Sequence, residues 1–220
     1  MSTLAPVAPR RNGARKTQIR AAATAAAAVA LVLAMALDTR WVKSGGAADV
    51  PPGAFSPLAY GQQTFPAVQK AIQGRAVPAP VLAAAIAKDP AAAAKQYGVA
   101  SGVGVEYPVS FTGTLGDGDF GNYDVHVDGM PDTPKVALQT GPAIMGTDLR
   151  DATGTIEFGQ FTNQIDYQNA GSALNKEMKK QVLSRLDTSD LKGKTVSDVG
   201  VFQLTDPAKW LVTPVSLEVK

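Results

Sequence analysis

Residues 21–37, AAATAAAAVALVLAMAL, form a run of 17 positions without a charge. In lipid, such a run must satisfy every backbone polar group from within itself, and a helix is the conformation that does so. At about 1.5 Å per helical residue it reaches roughly 25 Å, close to the ~30 Å thickness of a bilayer core. Five cations, Arg10, Arg11, Arg15, Lys16 and Arg20, precede it, and the first acid in the chain is Asp38. That bias keeps the N-terminus cytoplasmic and sends the following chain outward. Two fates fit: a retained anchor, or a signal peptide cut after Ala34-Met35-Ala36, whose small residues suit a cleavage site. A buried core helix is the third reading. Asn12-Gly13-Ala14 lack the apolar positions that twin-arginine export uses after the Arg10-Arg11 pair. We take the retained anchor: single-pass in the inner membrane, with the C-terminal part in the periplasm.

With those five cations set aside, 16 bases face 19 acids in the remainder. A mildly acidic body is a poor partner for a nucleic-acid backbone, so no nucleic acid is expected. The chain contains no cysteine and one histidine, His126. This removes a disulfide framework, a thiolate metal site, a cysteine nucleophile and lipid attachment through cysteine, and it leaves little for a histidine-based metal cluster or triad. No metal or cofactor is expected.

The organisation reads as a basic lead (1–20), the apolar helix (21–37), a linker (38–61), a helical subdomain (62–98) and a barrel domain (99–220). Gly, Pro and small residues in 44–57 suit a semi-extended tether. Phe65, Val68 and Ile72 share a helix face, and Val81, Leu82, Ala85 and Ile86 repeat that spacing after Pro78-Ala79-Pro80. Asp89-Pro90 can cap and start a third short helix that ends at Tyr97-Gly98. At Val99 the pattern changes to alternation. Strands are expected over 105–115, 123–128, 134–139, 155–158, 195–204 and 211–219, with Gly113 marking a bend, and a long amphipathic helix over 163–186 carries Ile165, Leu174, Met178, Val182 and Leu186. Phe111, Val125, Val201 and Leu217 are expected to face inward. The fold class is α+β: a small, partly closed barrel of the OB type with one long helix, preceded by a helical subdomain and a membrane helix.

The densest polar stretch runs from Gln139 to Tyr167. In one reading it is a packed turn network, with Arg150 paired to Asp151, Glu157 or Asp166 and with Asn163 and Gln164 capping the long helix. In the other, Gln139, Thr140, Arg150, Asn163, Gln164 and Tyr167 bind a ligand or partner at the barrel mouth, with Phe158, Phe161 or Tyr167 as an apolar wall. Amides and one guanidinium suit a neutral polar ligand or a peptide segment. Nothing in the stretch sets a nucleophile beside a base, so enzymatic activity is not expected. His126, flanked by Asp124 and Asp128, reads as a surface-strand histidine. Asp117 to Asp128 lacks the ligand a calcium loop needs at Gly121 and reads as a hairpin turn. Lys176, Lys179, Lys180 and Arg185 make a solvated basic helix face.

QTGPAIMGTDLRDATGTIEFGQFTNQIDYQNAGSALNKEM (139–178), YPVSFTG (107–113) and KGKTVSDVGVF (192–202) resemble the domain-of-unknown-function 2291 family of periplasmic lipoproteins, from about Trp41 onward. The resemblance implies a helical subdomain joined to an OB-like barrel and an accessory role in the envelope beside a sugar ABC importer, whose subunits would be partners together with the inner membrane. It brings no catalytic residues. The chain departs from the family at the lipid site, where Leu37-Asp38 stand in place of a cysteine.

Overall fold

The computed structural model describes residues 12–39, 54–102, 104–188 and 190–220. Arg10, Arg11, Trp41 and most of the expected linker lie outside the described residues. The chain divides into two units, Met1–Ser44 and Gly45–Lys220.

In the first unit, helix α1 (Asn12–Asp38) contains a stretch, Arg20–Asp38, long and apolar enough to cross a membrane. None of that stretch is buried within the protein, which removes the core-helix reading. Consecutive residues Leu31, Val32 and Leu33 are all exposed, so the apolar surface runs round the helix instead of forming one stripe.

The second unit begins with helix α2 (Pro57–Arg75), which starts inside the segment expected to be linker. The Ser56 hydroxyl accepts from the Ala59 backbone N–H and Pro57 occupies the first helical position, two start signals that outweigh the local Pro and Gly content. Phe65, Val68 and Ile72 are buried along its face as expected. Helix α3 (Ala79–Lys88) buries Leu82 and Ile86, but Val81, placed on the same face from sequence, is exposed. Helix α4 (Pro90–Tyr97) is capped by the Asp89 carboxylate, which accepts from the Ala91 and Ala92 N–H groups at 3.0 Å.

Seven strands follow or interleave: β1 (Val77–Pro78), β2 (Val99–Ser101), β3 (Gly104–Asp119), β4 (Asn122–Val127), β5 (Lys135–Gln139), β6 (Thr195–Gln203) and β7 (Lys209–Val219). Strands β3, β4, β5, β7 and β6 pair in that order, and β6 pairs back onto β3, so the sheet closes into a ring. The 16-residue β3 serves both ends of it, pairing with β6 over Glu106–Thr114 and with β4 from Gly113 onward. Gly113 belongs to both ladders, opposite Val127 and Val196. A Cβ there would lie 2.4 Å from the His126 carbonyl oxygen, so only glycine lets the strand bend through this crossing.

Register sorts the side chains. Tyr107, Val109, Phe111, Val125, Leu138, Phe202, Trp210 and Leu217 are buried on the inner face, where Trp210 stacks on Phe202 at 4.5 Å and Phe202 on Tyr107 at 5.6 Å. Val201 is buried too, but it pairs with Pro108 and Thr213 on the outer face, so it faces helices and not the ring interior as expected. Helix α2 covers that outer face at β3, β6 and β7 and packs against α6 (Gln164–Met178). The helical section and the ring thereby share one hydrophobic core.

Two further expectations fail locally. Residues 155–158 form no strand: the Thr153 hydroxyl takes the Thr155 N–H in a local turn, Gly154 sits at φ +66°, and a 3-10 turn follows at Phe158–Gln160. The expected 163–186 helix is α-helical only to Met178 and continues as a π-turn over Lys179–Leu183, where the Ser184 N–H reaches back five residues to the Lys179 carbonyl. Ile165, expected on its buried stripe, is exposed.

Candidate functional site

Three of the six polar residues singled out from sequence, Gln139, Arg150 and Tyr167, converge on the outer face of the ring, beneath helices, where Gln139 and Thr213 point outward from β5 and β7. The Gln139 amide donates to the Thr213 hydroxyl at 2.8 Å, and its oxygen accepts from the Met145 N–H at 2.8 Å. Thr213 donates onward to Asp148 at 3.3 Å. Asp148 opens the one-turn helix α5 (Asp148–Asp151), which delivers Arg150 and Asp151 to the same place.

Arg150 and Asp151 form a buried, two-pronged ion pair, Nε to Oδ1 at 2.7 Å and Nη2 to Oδ2 at 2.9 Å. The remaining guanidinium nitrogen donates to the Tyr167 carbonyl at 3.1 Å, and the guanidinium carbon stands 3.7 Å from the centre of the Tyr167 ring. Thr147 donates to the Asp151 Oδ2 as well, at 2.7 Å. This planar fork matched to a carboxylate and stacked on an aromatic face contains the Asp151 pairing that one of the two readings of Arg150 expected.

The other candidates are spread wider. Thr140 is buried and donates to the Gly121 carbonyl at 3.0 Å, which ties it to the β3–β4 turn. Asn163 caps α6, its oxygen accepting from the Asp166 N–H at 2.9 Å, and Gln164 is exposed on the first turn. Gln139, Arg150 and Tyr167 thus come together with Asp148 and Asp151, Thr140 stands at a hairpin, and Asn163 and Gln164 stand at a helix end. His126 is exposed on β4, as expected.

Three carboxyl groups were not singled out from sequence. Glu106 is fully buried on the outer face of β3, with Gln203 donating to one oxygen at 3.1 Å and the other oxygen without a partner among the described residues. Burial, with the charges of Asp148 and Asp151, pushes its pKa up to about 8. Burial likewise raises Asp148 to about 6, against the pull of its Thr213 hydrogen bond. Asp198 lies inside the ring opposite Phe111, and burial holds its carboxyl well above the ordinary range. Its signal was available: Asp198 keeps period-two phase with the inward Val196 and Phe202. Glu106 gave none, because it shares a face with Ser110 and Thr112 and only the helices bury it.

Chemically, this cluster holds protons and one ion pair. Among the described residues, no three His, Asp or Glu side chains gather to hold a metal ion. A separate groove of about 310 Å³ runs along β4 and β5, lined by Asp124, His126, Asp132 and Lys135 among others.

The profile of the domain-of-unknown-function 2291 family, described as predicted periplasmic lipoproteins, matches residues 26–218. The chain belongs to this family. Its membership, with the apolar α1, gives a periplasmic, membrane-tethered protein. Among solved structures the chain is similar to an OB-fold protein from Thermotoga maritima, with 22% identity over 76% of this chain and 99% of that one and a TM-score of 0.61. That likeness agrees with the closed ring and speaks to the fold alone. No curated protein matches the chain.

Proposed function

We propose that this family member is a single-span inner-membrane protein that presents a non-catalytic accessory domain in the periplasm. The observation that carries the reading is the closure of the polar cluster. Arg150, Asp151, Gln139 and Thr213 hydrogen-bond to one another and to neighbours beneath the helices, which supports a scaffold role for the densest polar stretch of the sequence. The domain then acts through its surface. Importer subunits are the partner class that the family resemblance implies, and the retained α1 replaces a lipid because the chain has no cysteine.

A reporter fused after Lys220 should be active only outside the cytoplasm, and crosslinked envelopes should yield importer subunits with this chain. Cytoplasmic reporter activity overturns the orientation; a clean pull-down without importer subunits removes the importer. A second reading, an independent module for a small polar ligand, draws on the groove beside His126. Release of a small molecule from purified protein supports it.

A further inference from the structure

Five aromatic rings meet on one side of the Gly45–Lys220 unit. Phe55 packs against Tyr60 at 5.3 Å and Phe161 at 5.6 Å, Phe161 against Tyr167 at 5.4 Å, and Phe158 against Tyr167 at 5.7 Å. Phe158 is 50% exposed, and Leu58 (48%) and Ile165 (67%), two residues from Tyr60 and Tyr167 in sequence, are exposed as well. Clustered exposed apolar side chains on a folded domain mark an interaction surface.

Where the chain attaches decides what covers it. Phe55, the first ring, is also where the segment leading from α1 joins the folded unit, with residues 39–54 between Asp38 and Phe55. Sixteen residues span at most about 55 Å at full extension. That bound lets the rings reach the surface of a membrane spanned by α1. Rings carrying a polar edge, set among aliphatic side chains, suit the interfacial zone of a bilayer. Residues 55–60 and 155–167 contain no Lys or Arg, while Glu157 acts on Tyr167 and Asp166 stands next to it in sequence. Attraction to anionic headgroups is therefore not the driving force; apolar burial is.

We propose that this patch docks on the outer lipid surface of the membrane its own chain spans, seating Leu58, Phe158 and Ile165 in the interfacial zone; the proposal rests on the retained-span reading above. The absence of cysteine supplies the test, because Phe158→Cys or His126→Cys creates a unique labelling site. Each full-length variant, carrying an environment-sensitive fluorophore, is placed in phosphatidylcholine nanodiscs with and without brominated lipid. The probe at 158 should be quenched several-fold more than the probe at 126, equally at low and high salt. Adding Leu58→Asp and Ile165→Asp should abolish that difference with the melting temperature retained. Equal quenching at the two positions, loss of quenching at high salt, or protection only after adding solubilised envelope proteins overturns lipid docking. Mass spectrometry of the same sample separates the two claims. A chain lacking α1 removes the retained span and the docking with it, whereas an intact α1 with an unquenched probe removes the docking alone.

Discussion

Asp198 sits directly across the β3–β6 ladder from Phe111, inside the ring, with both carboxylate oxygens buried and without a hydrogen-bond partner among the described residues. A carboxyl group so placed is retained in its neutral form, since ionising it there forfeits hydration with nothing to replace it. Asp198→Asn should therefore leave the fold intact and raise the melting temperature at pH 8 while changing it little at pH 4. A variant that melts lower than the parent at both pH values shows that the carboxyl is held by partners.

Glu106 and Asp148 extend the same behaviour. Both have folded-state pKa values above the unfolded ones, about 8 for Glu106 and about 6 for Asp148. The folded chain keeps protons that the unfolded chain has released, so their contribution is fully present below about pH 4, where both states are protonated, and is lost as pH rises toward 6 and then 8. Each such group costs about 1.4 kcal/mol per pH unit within its window. Thermal melts should fall between pH 5 and pH 8, and Glu106→Gln should flatten the upper part of that slope. A melting temperature that rises over this range contradicts the assignment.

Arg150→Met should destabilise the domain by about 3–5 kcal/mol, because it leaves the Asp151 carboxylate buried without its partner. The double variant Arg150→Met with Asp151→Asn should recover part of that loss. Denaturant melts of the four proteins in the cycle measure it, and independent, additive losses would show that the pair is not coupled.

Phe111→Ala should cost about 3–5 kcal/mol, since the ring is buried in the barrel interior and its removal leaves a cavity. An unchanged melting temperature would mean that the inner face of β3 is assigned wrongly.

Gly121→Ala should fail to form the β3–β4 turn. Gly121 has φ +81°, and a Cβ there would stand 1.0 Å from the Gly141 carbonyl oxygen, a clash between backbone atoms that no rotamer relieves. Loss of soluble protein, or loss of amide protection at Thr140 in a partly folded product, is the expected readout.

Elements with strong local signals were legible in the sequence: α1 by its length without charge, α4 by Asp89-Pro90, and the β3 bend by Gly113. The candidate site was legible only in part, for a physical reason. Arg150 and Asp151 are adjacent in sequence and their pairing could be anticipated, but the link from Gln139 through Thr213 to Asp148 joins residues far apart in the chain and exists only once β5 and β7 are neighbours. Glu106 gave no signal because alternation reports the two faces of a strand and says nothing of what later lies over them. Val201 was misplaced for the same reason. Ile165 and Val81 show the converse, apolar residues in helical phase that nothing covers.

The double duty of β3 sets the order in which the ring can close. Its residues 106–114 find their partners in β6, and β6 in turn is held to β5 only through β7, which ends at Val219. The β3–β4–β5 meander is local in sequence and can assemble early, yet the ring stays open until β7 and β6 have both paired. Closure is then a contact between segments some ninety residues apart, and such contacts form slowly. Until β6 and β7 are in place the inner faces of β3, β4 and β5, with Phe111, Val125 and Leu138, are uncovered, so the half-built sheet presents an adhesive apolar surface to any other chain it meets.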